Sequence, residues 1–111
     1  MRLFNAAPLE LKKYFKEDFT TNHYEAGWAS ECIFFIMVED IKGTGSSLIA
    51  DVEISHDGMT WVKEGTQSGK IDKAVLHFIR VKHFGNWLRL NCHISGESPE
   101  FKLLIQIALK E

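Results

Sequence analysis

A chain of 111 residues, 45% hydrophobic and 25% charged, has the composition of one globular domain over residues 1–111, large enough to bury its own core; disorder and a second domain are excluded. Its 13 basic residues are scattered among 15 acidic ones for a net charge of −2, which excludes a general phosphate-binding surface and with it a nucleic-acid partner. The longest apolar run, residues 32–38, falls short of the roughly 20 residues of a membrane-spanning helix, and Met1-Arg2-Leu3-Phe4-Asn5 lacks the pattern of a signal peptide, so the expectation is a cytoplasmic or virion-associated protein with no membrane partner.

In chain order, residues 6–10 make a helical turn at most, and residues 11–15 and 19–24 alternate weakly as short strands. Residues 33–41 are apolar on both faces, with Ile33, Phe35 and Met37 on one side and Cys32, Phe34, Ile36 and Val38 on the other, which predicts a strand covered twice. The core supplies one cover and a partner subunit or a terminal segment the other, with Phe34, Ile36 and Val38 as the candidate oligomer contacts. Gly43-Thr44-Gly45-Ser46-Ser47 reads as a flexible loop. Residues 48–55 then alternate as a half-buried strand, Leu48, Ala50, Val52 and Ile54 inward, Asp51, Glu53 and Ser55 toward water. Asp57-Gly58 supplies the turn of a β-hairpin, and residues 59–64 return, with Trp61 packed across the hairpin as core or core edge.

Residues 65–70 read as an exposed loop, residues 74–81 as a strand, and His83-Phe84-Gly85-Asn86 as a second turn. Residues 87–94 alternate cleanly, Leu88, Leu90, Cys92 and Ile94 inward, Trp87, Arg89, Asn91 and His93 outward. A turn at residues 95–99 leads to the last strand, 101–109, which buries Phe101, Leu103, Ile105, Ile107 and Leu109. Seven to eight such strands and no amphipathic helix predict an all-β fold, a two-sheet antiparallel sandwich of jelly-roll-like topology.

Ile54-Ser55-His56-Asp57-Gly58-Met59-Thr60-Trp61, followed by Gly85-Asn86-Trp87-Leu88-Arg89-Leu90, resembles the S-x-D-G-x-x-W hairpin and later Arg-Leu strand of discoidin-like domains. Together with Ser95-Gly96-Glu97-Ser98-Pro99-Glu100-Phe101, the same stretch is similar to short proteins of phages and bacterial mobile elements. The resemblance spans residues 48–109. It implies a small β-sandwich module, and on the phage side, which matches the chain's length, an accessory or structural role.

The residues offer little chemistry. Ser55-His56-Asp57 contains the letters of a catalytic triad, but neighbours on a strand point to opposite faces, and Ser55 and Asp57 are better placed to bond the turn backbone. Asp51 and Glu53 share a face as an acid/base pair would, a pattern that solvated carboxylates on a sheet also produce. Five histidines at 23, 56, 77, 83 and 93 lack zinc spacing, with a meeting of His77 and His93 across paired strands as the one route to a metal; no metal or cofactor is expected. Cys32 and Cys92 read as buried, reduced, small apolar residues, with a disulfide between them open if their strands are neighbours. Trp87 with Arg89, Asn91 and His93 forms the candidate contact surface for a protein or glycan partner, since aromatic and arginine side chains are enriched where proteins make contact. The expectation is a non-enzymatic accessory protein that forms a homo-oligomer, with a small carbohydrate- or ligand-binding module as the alternative.

Overall fold

The computed structural model describes residues 4–82 and 86–111, the side chains of residues 4–8 and 10–12 apart. Seven strands follow in chain order: β1 Phe4–Phe15, β2 Phe19–Thr20, β3 Tyr24–Glu25, β4 Glu31–Ser55, β5 Trp61–Gln67, β6 Leu76–Val81 and β7 Trp87–Lys110. They form one antiparallel sheet in the order β1-β7-β4-β5, with β2 and β3 added to β7 and β6 added to β4. Among the described residues no helix is long and apolar enough to cross a membrane.

Two strands dominate. β4 and β7 pair along their whole lengths, from Glu31 opposite Lys110 to Ser55 opposite Trp87. The 25 residues of β4, fully extended, would measure about 80 Å at roughly 3.3 Å per residue. The molecule's longest dimension is 46 Å, so the pair bends back on itself. The bend coincides with register shifts between Lys42 and Thr44 and between Thr44 and Ser47. Gly43 sits there at φ 97°, a conformation open to glycine, against Glu97 and Ser98, and on β7 Gly96, at φ 127°, lies against Gly45 and Ser46. Ser46 Oγ donates to the Lys42 carbonyl at 2.8 Å, and the Ser47 and Ser95 hydroxyls lie 2.9 Å apart across the two strands.

The bend corrects the expected architecture. In place of two separate sheets there is one hydrogen-bonded sheet whose halves share a core, and the expected loop at residues 43–47 and turn at 95–99 lie inside β4 and β7. Glycine and serine clusters announce a break in direction, and here the partner strands kink together, so pairing is interrupted at a few residues and resumes on the far side of the bend. Residues 6–10 also differ, being paired strand against β7. Pro8 is tolerated because β1 is paired on one side only, and register shifts follow it. The turn expected at residues 83–86 lies, Asn86 apart, outside the described residues.

One half of the sheet comprises β1, the C-terminal half of β7, the N-terminal half of β4 and β6; the other comprises β2, β3, the N-terminal half of β7, the C-terminal half of β4 and β5. Phe34, Ile36 and Phe101 from the first half and Leu48, Leu88 and Leu90 from the second are completely buried and belong to a single cluster. This revises the oligomer contacts. Phe34, Ile36 and Val38 point into the core and are closed to any partner, while Ile33, Phe35 and Met37 face outward. Cys32 and Cys92 are buried in different halves and not joined by a disulfide; burial pushes the Cys32 thiol up to about 12, which makes it an inert part of the core.

Candidate functional site

The outer faces of the two halves differ in character. On the second half, cross-strand pairing places Ser55 between Trp61 and Trp87, Glu53 between Lys63 and Arg89, and Asp51 between Gln67 and Asn91. Asp51, Glu53 and Ser55 are only 4%, 8% and 4% exposed, where the alternation alone predicted that they meet water. They stand on the middle strand, and the long side chains of both flanking strands lean across them.

Burial of two carboxylates requires compensation, and each has it. Gln67 Nε2 donates to Asp51 Oδ1 at 2.5 Å, while His93 Nε2 and Lys63 Nζ lie 3.3 Å and 3.9 Å from Asp51 Oδ2. The other His93 ring nitrogen lies 3.2 Å from Asp18 Oδ2, so the imidazole bridges two carboxylates. Asp18 Oδ1 in turn accepts the Ile94 amide at 2.8 Å, and this bond, followed by that to His93, holds its carboxyl below the ordinary carboxylate range. Arg89 Nε donates to Glu53 Oε1 at 2.7 Å, and Asn91 Nδ2 to Glu53 Oε2 at 3.4 Å. The face is thus a closed network in which every carboxylate oxygen of Asp51 and Glu53 has a partner. That saturation suits holding strands in register and leaves neither carboxylate an open oxygen for proton transfer.

The four contact residues read from the sequence, Trp87, Arg89, Asn91 and His93, do share this face. Arg89 carries its guanidinium 4.2 Å from the Trp61 ring centroid, and the Trp87 ring has Gly58 against it, where an added Cβ would stand 3.3 Å from the indole. His23 stands edge-on to Trp87 at 5.2 Å. Each tryptophan therefore has one ring face engaged within the chain, and Trp61 lies in this outer layer, away from the core or core edge expected for it. Sequence reasoning missed Asp18, His23, Lys63 and Gln67. The signal was present as acids alternating at Asp51 and Glu53 against bases alternating at Arg89 and His93, but only the pairing register turns two alternations into contacts. His77 and His93 lie on β6 and β7, which do not pair.

The hairpin turn follows the side-chain chemistry expected of it. Ser55 Oγ donates to Asp57 Oδ1 at 3.0 Å and accepts the Gly58 amide at 2.9 Å, while Asp57 Oδ1 accepts the amides of Met59 and Thr60 at 2.8 and 2.9 Å. The Thr60 amide first and the Met59 amide next lower the Asp57 carboxyl from 3.8 to about 2. A depressed carboxyl stabilises the fold above its unfolded value and loses that contribution as pH falls toward the folded one. Urea unfolding is therefore expected to favour the unsubstituted chain over Asp57→Asn at pH 5, with the difference narrowing between about pH 4 and pH 2. An unchanged difference at pH 2 would contradict the assignment.

The outer face of the first half carries an apolar patch beside polar residues such as Gln106 and Arg80. Phe35 pairs opposite Phe78 and Met37 opposite Leu76, with Leu104 beyond Met37 on β7. Phe78, Leu76 and Met37 are 56%, 52% and 36% exposed, a contiguous set on neighbouring strands.

No family model and no curated relative matches the chain. Among solved structures it is similar to the SPBc2 prophage-derived protein YomS, with a TM-score of 0.61 and 6% identity over 100% of this chain and 96% of that one. At that identity the likeness is one of fold alone.

Proposed function

We propose that this protein works by contact and not by catalysis, as an accessory or structural protein of phage or mobile-element type that associates with copies of itself through the outward apolar face of β4 and β6. The observation that carries this is the contiguous exposure of Met37, Leu76 and Phe78 beside half-buried Ile33 and Phe35. Isolated apolar residues are ordinary on a protein surface, whereas a block spanning adjacent strands marks an interaction site. β6 adds a second argument, because among the described residues it pairs with β4 alone and its other edge is open. A two-fold axis beside β6 would continue the sheet from one copy to the next and bring the same apolar residues of both copies together. The shared fold with a prophage-derived protein supports the phage setting.

The carbohydrate-binding alternative has less in its favour. Sugars stack on open aromatic faces, and here Trp61 and Trp87 already have Arg89 and Gly58 against them, with Arg89 committed to Glu53. Light scattering on the purified protein over a roughly tenfold concentration range is expected to give a dimer or larger species. Leu76→Ser combined with Phe78→Glu is expected to yield a monomer with unchanged far-ultraviolet circular dichroism. A monomer at every concentration in the unsubstituted protein would remove self-association from the proposal.

A further inference from the structure

A cavity of about 470 Å³ opens where β4 begins and β6 and β7 end, within the size range of small-molecule sites. Its inner surface is apolar: Cys32 and Val81 are buried, and Ile33, Phe35 and Ala108 are half-buried around it. Its outer margin is cationic. Arg80 approaches from β6, Lys82 from just past its end and Lys110 from β7, all exposed, against the single carboxylate of Glu31. Register explains the convergence, since Ile33 lies between Arg80 and Ala108 while Lys110 faces Glu31.

None of the three cations is held in an ion pair among the described residues. Arg80 lies 5.3 Å from the Phe78 ring centroid and has no hydrogen-bonded acceptor among the described residues, which leaves its donors for a ligand. Three exposed positive side chains stand around the recess, and an anion placed among them meets complementary charge. The recess offers such an anion aliphatic and aromatic carbon with few polar partners, which disfavours a sugar or a nucleotide.

We infer that this cavity binds an aliphatic carboxylate, a free acyl chain whose head group sits between Arg80 and Lys110 and whose tail lies against Ile33, Phe35, Val81 and Ala108. The inference does not rest on self-association: Ile33 and Phe35 belong to both surfaces, but Leu76 and Met37 of the association face are not part of the cavity wall, so the two can be tested apart.

Calorimetric titration of the full chain with octanoate tests it, with octanol, acetate and N-acetyl-leucyl-leucine as parallel probes. One octanoate per chain is expected, with octanol and acetate at least tenfold weaker because each lacks one half of the recognition. Arg80→Gln combined with Lys110→Gln, two exposed positions, is expected to weaken octanoate tenfold or more, and Ala108→Trp to block it by filling the recess. Leu76→Ser combined with Met37→Ser, which disrupts the outer patch and leaves Phe78 beside Arg80, is expected to bind octanoate as the unsubstituted chain does, and loss of binding there would move the acyl chain onto Leu76 and Met37 and overturn the assignment. So would octanol binding as tightly as octanoate, full affinity in the doubly neutralised variant, absence of saturable heat, or tighter binding of the dipeptide, which would reassign the cavity to a peptide terminus.

Discussion

Gly43→Ala is expected to destabilise the protein by about 3 kcal/mol, the largest single effect among the positions considered, because it combines two costs. At φ 97° an L-residue sits in the left-handed region, at about 1–2 kcal/mol. An added Cβ would also stand 2.5 Å from both the Glu97 and the Ser98 carbonyl oxygens, which are backbone atoms of the paired strand and cannot swing aside. Relieving that overlap means opening the bend on which the meeting of the two half-sheets depends, a shift of the kind that overpacking a core produces. Gly45→Ala is the matched control, since Gly45 has φ 62° and nothing within 4 Å of its Cβ position. It is expected to cost only about 1 kcal/mol. Thermal unfolding midpoints of the two variants should separate by roughly 10 °C, with urea midpoints in the same order. Equal losses would mean that backbone conformation alone governs the bend and that close approach of the strands contributes nothing.

Arg89→Met is expected to cost about 2–3 kcal/mol, the second largest effect. Glu53 is 8% exposed on the central strand, and its strongest partner is the Arg89 guanidinium at 2.7 Å. Removing that partner leaves a carboxylate beneath a layer of side chains with only Asn91 at 3.4 Å, and an uncompensated buried charge costs far more than the pair contributes net. Arg89 is itself 23% exposed in its side chain, so water reaches the site and the expected loss stands below that of a fully buried pair. Glu53→Gln in the Arg89→Met background is expected to restore much of the stability, because a neutral amide does not need the cation. A double-mutant cycle by urea unfolding reads the coupling directly, and additive losses would show that Arg89 acts through its stacking on Trp61 alone.

Both predictions fall where local pattern and tertiary structure part company. The period-2 alternation made nearly every strand legible, and the inward sets at Leu88, Leu90, Cys92 and at Phe101 to Leu109 are buried as that alternation requires. The Ser55 and Asp57 turn chemistry was equally legible, because hydrogen bonds between residues two or three apart are encoded in the same few letters. The Gly43 bend was read as a loop for a physical reason. Glycine with serine marks a change of chain direction in either case, and whether pairing survives it depends on a second kink at residues 95–98, fifty residues away. The polar face went unread for a related reason. Asp51 and Glu53 look like solvated strand residues until Arg89, His93, Lys63 and Gln67 are laid over them, and no local rule says which strands will flank β4.

What the sequence determined by itself is therefore the strand content, the hydrophobic faces and the hairpin turn, all consequences of interactions within a few residues. The tertiary structure alone decided three further things. It joined the predicted strands into one folded sheet, it turned Ile33, Phe35 and Met37 outward and Phe34, Ile36 and Val38 into the core, and it gathered Arg80, Lys82 and Lys110 around one cavity. Each depends on register between distant strands. Alternation specifies that one face is buried, and only the pairing partner specifies which residues share that face and what covers the other.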